Sequence, residues 1–268
     1  MRARYLFSIV FCVISFLSWI NYSHSREKIK LEQKLELSIE SSKKNYLTGE
    51  ILTLNFNLKN KSQEELTISD SLNTDSGYLS VYISQNGAEF KKYYNSTWGR
   101  ANASRAYIQI KPGQHIKTSA TVFWNAVPRV VRPDRLQQKP VDTYYAFPQA
   151  NTYYLKAVFT LYFENKPNKI ESEPIQVIIE EPTGDDFAVW NKIRNRSELA
   201  FFIQEGNFLT SKPEEKEKLR QEAEEIFNQY AETVIGRQIG RSLEKFRTLE
   251  EKSKTYLQKL KEAKERNP

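Results

Sequence analysis

Histidine and cysteine, which supply many catalytic bases, nucleophiles and metal ligands, are scarce in this sequence. Its 268 residues include one cysteine, Cys12, and two histidines, His24 and His115. A serine–histidine–aspartate triad would have to use His115, which lies beside a Pro-Gly turn, and no Gly-x-Ser-x-Gly motif accompanies it. A zinc site would have to combine that histidine with carboxylates. The sequence therefore predicts no catalytic residues of this kind, no metal site and no cofactor.

Paired carboxylates offer a second chemistry, because two acids across a cleft can hydrolyse a glycosidic bond. Several aspartates fall in turn-like or loop-like segments, namely Asp70, Asp75, Asp134, Asp142, Asp185 and Asp186. Aspartate in such segments is usually a turn former or a helix cap. The segment 70–75 is rich in oxygen ligands for calcium, but it lacks the spacing of an EF-hand. A carboxylate-dependent hydrolase is therefore a minor alternative to a non-catalytic role.

Two groups of residues have side chains suited to recognition of a ligand. The first lies around a segment rich in Gly, Asn and Ser, and consists of Tyr93, Tyr94, Trp98 and Arg100. The second ends a long proline-containing stretch, 126–147, and includes Tyr144 and Tyr145. Aromatic rings can stack on sugars, and arginine can bind anions with paired hydrogen bonds. The competing interpretation is that a β-rich protein uses these aromatic residues in its core.

The amino terminus predicts export. Arg2 and Arg4 precede an almost wholly apolar run, Tyr5 to Ile20, whose core of about 15 residues is shorter than the roughly 20 of a membrane span. The small residues at 23–25 suit a signal peptidase. We expect 1–25 to be a signal peptide and the mature protein to be periplasmic or extracellular. An uncleaved membrane anchor is the alternative.

Apolar and polar residues alternate over much of the range 34–180, which is the pattern of half-buried strands. The clearest runs have apolar residues at Leu35, Leu37 and Ile39, and at Leu52, Leu54, Phe56 and Leu58. About eight or nine such segments follow one another without a helical segment between them. The pattern predicts an immunoglobulin-like antiparallel β-sandwich over 34–180.

A helical period replaces the alternation after 181–186. Signals for helix starts occur at Asp185 or Asp186, at Ser197 and at Pro213. The range 185–268 is therefore expected to form a helical carboxy-terminal region, as a helical hairpin or as long helices.

The last helix is expected from about Glu232 or Ile239 to Lys264. Its apolar stripe includes Leu243, Phe246, Leu249, Leu257 and Leu260. The stripe either packs within the chain or forms a face for a partner helix, including a self-associating coiled coil. Gly236 and Gly240, four residues apart, either allow close helix contact or mark a break.

Three short segments of the β part follow a recognisable pattern. They are YLTGE at 46–50, IKPGQ at 110–114 and FPQANTYYLKA at 147–157. Together they resemble strands of secreted bacterial immunoglobulin-like domains, and the helical tail is similar to tails on secreted proteins of this kind whose function is uncharacterised. The resemblance implies a tyrosine corner at Tyr153, although Ala150-Asn151 replaces the usual glycine. It implies a fold rather than a specific function.

Export and the scarcity of catalytic motifs predict a non-catalytic binding or scaffolding protein of the cell envelope, whose partner is a protein or an envelope polymer. A carbohydrate-binding module that uses the loop aromatics is the alternative. The net charge of +7 and the pI near 9.2 permit peripheral contact with an anionic membrane surface. Mixed acids and bases in the last helix, together with export, argue against a nucleic-acid partner. The sequence leaves the oligomeric state open.

Overall fold

A computed structural model of the chain describes residues 31–69, 72, 74, 78–94, 107–125, 144–163, 166–208, 210 and 212–266. The expected signal peptide at 1–25 lies outside these residues, and so does the stretch 126–143. In the part of the chain that is described, no helix is both long and apolar enough to cross a membrane.

The described chain is mostly β structure as far as Glu180, and helices follow. A short helix, α1 (Leu31–Lys34), precedes the strands β1 (Leu35–Ser41), β2 (Asn45–Leu47), β3 (Leu52–Asn60), β4 (Leu66–Ser69), β5 (Leu79–Ser84), β6 (Lys91–Tyr93), β7 (Tyr107–Ile110), β8 (His115–Val122), β9 (Trp124–Asn125), β10 (Tyr144–Tyr145), β11 (Asn151–Phe163), β12 (Lys166–Glu171) and β13 (Ile175–Glu180). The later helices are α2 (Gly184–Ile193), α3 (Ser197–Glu205), α4 (Pro213–Tyr230) and α5 (Val234–Arg266).

Three strands form an antiparallel sheet in the order β1-β3-β8. β3 is central, and its Leu58 lies opposite Leu37 of β1. Because side chains alternate along a strand, every second residue of β3 faces the interior. These buried residues are Leu52, Leu54, Phe56 and Leu58. The structure confirms the alternation that the sequence predicted.

The larger sheet has the order β2-β13-β11-β5-β6, and β12 also pairs with β11. Its pairs are antiparallel apart from β2 and β13, which are parallel. The sequence over 170–180 predicts one strand, with Ile175, Val177 and Ile179 facing inward, but the structure has β12 and β13 there. Pro174, which has no N–H to donate, lies in the interruption, and the two strands pair with different halves of β11.

One core draws buried residues from both of these sheets. Tyr153 of β11 is among its largest fully buried side chains. The Tyr153 hydroxyl donates to the carbonyl of Gln149 at 3.0 Å, and its ring meets Phe147 edge-on with the centroids 5.0 Å apart. This hydrogen bond to a carbonyl just upstream is the one expected of a tyrosine corner.

A second core lies among the four helices that follow β13 in the described part of the chain. It includes Phe202 and Phe208, whose rings stack with centroids 4.2 Å apart. Residues of the β part also belong to it, namely Phe123, Trp124 and Tyr145. The helical region therefore packs on the β part through shared buried aromatic residues.

Gly236 and Gly240 lie within α5 and do not break it. A Cβ added at Gly236 would lie 1.8 Å from the carbonyl oxygen of Tyr230, the last residue of α4. A Cβ at Gly240 would lie 2.4 Å from the ring of Phe227. Of the two interpretations of these glycines, the structure supports close helix contact.

The sequence places the starts of α2 and α3 at Asp185 or Asp186 and at Ser197, but none of these residues occupies the N-cap position. α2 has Thr183 at its N-cap and α3 has Arg196, and neither residue makes a side-chain cap hydrogen bond. Asp186 lies inside α2, where its Oδ1 accepts the backbone N–H of Ile235 at 3.1 Å. The carboxylate therefore satisfies the amino-terminal turn of α5, a helix that is distant in sequence.

Candidate functional site

A concavity of about 370 Å³ lies beside the hairpin that joins β5 to β6. Tyr144, Ala146 and Pro148 form another part of its wall. Its lining consists of Ile83, Ser84, Gln85, Asn86, Glu89, Lys91, Lys92, Tyr93, Tyr144, Ala146, Pro148 and Tyr153. Tyrosine rings and small apolar groups thus stand next to amides and charged groups, which is the composition of a site for a polar ligand with an apolar face.

The polar residues of this site are held by a well-ordered turn. Asn86 Oδ1 accepts the backbone N–H groups of Ala88 and Glu89, both at 2.9 Å, and the Ser84 hydroxyl at 2.8 Å. Gly87 has φ +74°, a conformation that favours glycine. Hydrogen bonds within the turn therefore fix the backbone that carries Gln85 and Glu89.

Charge at the site is mixed. Lys91 and Glu89 are exposed, and Lys92 Nζ lies 5.3 Å from the centre of the Tyr94 ring. Glu89 is the single carboxylate among the described lining residues. Two ammonium groups beside amides and an exposed tyrosine favour ligands that carry hydroxyl and anionic groups.

The structure brings the two predicted aromatic groups together, because Tyr93 and Tyr144 both line the concavity. It also separates the members of each pair. Tyr94 is 37% exposed and Tyr144 42%, whereas Tyr93 and Tyr145 are 6% exposed. Neighbouring side chains in an extended chain point to opposite sides, so each pair presents one ring outward and one inward.

Tyr93 is held by a buried hydrogen-bond network. Its hydroxyl lies 3.1 Å from the Trp124 carbonyl and 3.0 Å from Gln204 Oε1, and it accepts the Phe123 N–H at 3.2 Å. Gln204 Oε1 also accepts the Trp124 N–H at 2.7 Å. Burial raises the pKa of the Tyr93 phenol. Tyr93 therefore lines the concavity while its hydroxyl group joins the strands to α3.

Tyr145 lies between the β part and α2. Its hydroxyl donates to the Ile193 carbonyl at 2.8 Å, and burial raises the pKa of this phenol as well. Its ring makes edge-on contacts with Phe123, Trp124 and Trp190, at centroid distances of 5.2, 4.7 and 4.8 Å. Of the predicted ligand-binding residues, Tyr145 is thus placed inside the protein, where these contacts enclose its ring.

Trp98 and Arg100 lie outside the described residues. The chain enters that segment directly after Tyr94, whose backbone N–H donates to Asn125 Oδ1 at 2.7 Å. The undescribed stretch 126–143 ends directly before Tyr144. Of the predicted ligand-binding residues, the structure thus describes the four tyrosines.

Sequence reasoning missed the polar lining residues and Gln204. Asn86-Gly87 is a sequence signal for a hairpin, but exposed amides and lysines in a hairpin are common and do not by themselves indicate a site. Gln204 is buried at 8% exposure inside α3, among apolar neighbours in the sequence. A buried amide in an apolar segment is the signal that could have pointed to a long-range hydrogen bond.

The predicted partner-helix face divides into two parts. Leu243 and Phe246 belong to the second core, so for them packing within the chain is the correct interpretation. Leu249, Leu257 and Leu260 are 42%, 54% and 41% exposed. α4 begins only at Pro213 and reaches α5 near Glu250, where Lys216 Nζ lies 3.2 Å from the carboxylate.

The aspartates do not assemble into a site in the part that the structure describes. Asp185 is exposed and Asp186 bonds to the start of α5, while Asp70, Asp75, Asp134 and Asp142 lie outside the described residues. Within the described ranges, no cluster of three or more histidine, cysteine or acidic residues could hold a metal ion.

No protein-family model and no curated protein matches this chain. Among solved structures, a β-glucosidase from Listeria innocua is similar over 55% of this chain and 16% of its own, at 12% identity and a TM-score of 0.27. The CARDB domain of a Pyrococcus furiosus protein is similar over 54% of this chain and 91% of its own, at 12% identity and a TM-score of 0.26.

The sporulation control protein Spo0M from Bacillus subtilis is similar over 60% of this chain and 55% of its own, at 14% identity and a TM-score of 0.27. At these TM-scores and identities the likenesses carry no argument about ligand or activity.

Proposed function

We propose that this protein is an exported, non-catalytic binding protein that recognises an anionic glycan of the cell envelope at the concavity beside the β5–β6 hairpin. The observation that carries the proposal is that one concavity is lined by the exposed Tyr144 ring, by side-chain amides of the β5–β6 hairpin, and by Lys91 and Lys92 of β6. Sugars bind through stacking on aromatic rings combined with hydrogen bonds to side-chain amides. The two lysines favour a chain that bears carboxylate or phosphate groups.

The fold that we propose for the β part is an immunoglobulin-like sandwich. In that fold, strands A, B and E share one sheet and strands C, F and G the other, with C′ as an addition to the second sheet. The orders β1-β3-β8 and β13-β11-β5-β6 are compatible with A-B-E and G-F-C-C′. The hydrogen bond from Tyr153 to Gln149 supports this assignment as a tyrosine corner. The concavity would then adjoin the C–C′ hairpin.

Export is part of the proposal and has its own test. The charged and then apolar residues of 1–25 support it. Amino-terminal sequencing of the protein from its native envelope fraction should give Arg26 as the first residue. A chain that starts at Met1 would instead support the membrane anchor.

The binding proposal is tested by retention on purified, insoluble peptidoglycan. Replacing Tyr144 by alanine removes the exposed ring, and we expect retention to fall about tenfold, the effect of losing roughly 1.4 kcal/mol of stacking and contact area. Lys91→Gln should weaken retention as well, and more at low salt than at high salt.

The matched control is Tyr107→Ala. Tyr107 is 67% exposed on β7 and does not line the concavity. If Tyr107→Ala and Tyr144→Ala lower retention equally, or if the wild-type chain is not retained, recognition of this polymer at the concavity is wrong.

A further inference from the structure

The carboxy-terminal part of α5 extends beyond the helices that it packs against. The last contacts with α4 are the ion pair of Lys216 with Glu250, at 3.2 Å, and the placement of Lys216 Nζ 4.6 Å from the centre of the Phe246 ring. From 251 to 260 every residue is exposed. The helix continues to Arg266, so its projecting part, 249–266, is about 27 Å long at 1.5 Å per residue.

This projecting part carries an exposed apolar stripe. Tyr256 is 63% exposed, and Leu249, Leu257 and Leu260 are exposed as well. Spacings of seven, eight and eleven residues from Leu249 place all four on one side of an α-helix. The stripe lies on the same side of α5 as the buried residues Leu243 and Phe246, beyond the point where α4 packs against the helix.

Lysines lie along both borders of the apolar stripe, and glutamates lie mainly on the opposite side of the helix. At about 100° per residue, Lys252 and Lys259 lie along one border of the stripe and Lys254 lies towards the other. Glu251 and Glu262 fall on the opposite side of the helix. Glu250 lies near the stripe, but its carboxylate is paired with Lys216.

We propose that the projecting part of α5, residues 249–266, docks on an anionic lipid surface. An amphipathic helix that lies in a membrane interface buries its apolar side at the level of the headgroups. Bordering lysines extend their stems along the apolar surface and place their ammonium groups among anionic headgroups, and tyrosine is favoured at the same depth. The acids face the water.

A second copy of the chain fits this surface less well. An antiparallel pair would place Lys252 and Lys259 of one copy beside the same residues of the other. A parallel pair would place these lysines towards Lys254 of the partner helix. Like charges in such flanking positions destabilise the pairing, whereas a negative surface attracts them.

The proposal is tested in the full chain with a local probe, because the apolar run at Tyr5 to Ile20 can bind lipid independently. In a Cys12→Ser background, the variants Leu257→Cys and Gln258→Cys receive an environment-sensitive fluorophore. Residue 258 lies opposite the stripe and is the matched control. With vesicles of phosphatidylglycerol and phosphatidylcholine, the probe at 257 should shift to the blue and brighten severalfold, while the probe at 258 should change little.

Three results would overturn lipid docking: no response at 257, equal responses at 257 and 258, or an equal response at 257 to vesicles of phosphatidylcholine alone. A concentration-dependent dimer without vesicles, abolished by Leu257→Glu, would assign the surface to a second copy instead.

The charge contribution is measured by titrating vesicles into the chain labelled at 257. Lys252→Gln and Lys259→Gln should each weaken binding about fivefold, because a basic residue near an anionic surface contributes about 1 kcal/mol. Lys111→Gln and Lys117→Gln, which change exposed lysines of the β part, are the matched controls and should leave the affinity unchanged. If the two changes in the β part weaken vesicle binding as much as the two changes in α5, the overall charge of the protein, rather than this helix, determines binding.

Discussion

At the scale of single residues, the two tyrosines of each neighbouring pair have different structural roles. Tyr94 and Tyr144 are exposed, whereas Tyr93 and Tyr145 connect strands to helices through their hydroxyl groups. The reason is the alternation of side chains in extended backbone. Neighbouring tyrosines in an extended segment therefore include one that can contact a ligand and one that stabilises the fold. The buried hydrogen bond of the hydroxyl group identifies the second kind.

Tyr93→Phe should destabilise the protein by about 1–3 kcal/mol, because the buried Phe123 N–H then loses its acceptor. The measurement is the free energy of unfolding in urea. Tyr94→Phe, a change at the exposed neighbour, is the control and should stay within about 0.5 kcal/mol of the wild type. Equal effects of the two changes would contradict the structural role of Tyr93.

Alkaline pH should lower stability through the buried phenols. Burial raises the pKa of Tyr93 and Tyr145 in the folded chain, whereas both ionise near pH 10 when unfolded. Above about pH 10 the unfolded state therefore binds fewer protons, and each such tyrosine lowers the free energy of unfolding by about 1.4 kcal/mol per pH unit until its folded pKa is reached. Below about pH 10 these two tyrosines lower the free energy of unfolding only slightly.

The pH effect is measured as the difference in free energy of unfolding between about pH 8 and pH 11. Tyr145→Phe should reduce this difference relative to the wild type, even though it also removes the hydrogen bond to Ile193. An unchanged pH dependence in this variant would show that Tyr145 does not contribute.

At the scale of elements, glycine positions the two long helices. Thr233 accepts the Gly236 N–H at 2.9 Å and donates to the Tyr230 carbonyl at 2.8 Å, which joins the end of α4 to the start of α5. Helix propensity alone would favour alanine at Gly236 by about 1 kcal/mol. The contact with the Tyr230 carbonyl disfavours alanine, because a Cβ at this position would lie 1.8 Å from that oxygen.

Gly236→Ala is therefore expected to destabilise the protein by about 1–3 kcal/mol, opposite in sign to the propensity. Thermal and urea unfolding measure the effect. Ser253→Ala, in the exposed part of α5, is the control and should be neutral or slightly stabilising. A stabilised Gly236→Ala variant would show that α4 and α5 are not in close contact there.

At the scale of the whole molecule, the helices cover apolar surface of the β part. Trp190 lies against Gly49, where a Cβ would come within 2.5 Å of its ring, and Gln238 Oε1 accepts the Ile51 N–H at 3.0 Å. Trp124 and Tyr145 are buried in the same region. The helical region thus contributes to the stability of the strands.

A chain that ends at Glu180 should therefore aggregate or unfold at a much lower urea concentration than the full chain, because it exposes Phe123, Trp124 and Tyr145. Solubility and urea unfolding measure this. A control chain that ends at Glu250 keeps the packed part of α5 and should unfold like the full chain. Equal stability of the chain ending at Glu180 would mean that the helices form an independent unit.

Much of the secondary structure was predictable, because alternation and helical periodicity are local properties of the sequence. The strands around Leu52–Leu58 and the helix after Pro213 are confirmed. The division into β12 and β13 was missed, since the pairing of each with β11 depends on residues elsewhere in the chain. For the same reason the polar lining of the concavity could not be identified from the hairpin signal alone.

Local patterns in the sequence specify that the strands precede the four longer helices, and its composition leaves few residues for nucleophilic or metal chemistry. The exposure of each aromatic ring, and the point on α5 beyond which α4 no longer packs against it, depend on the tertiary structure. Tyr93 and Gln204, 111 residues apart, meet in one hydrogen bond. Burial is set by such long-range contacts, whereas the period of a strand or helix is set by its own residues.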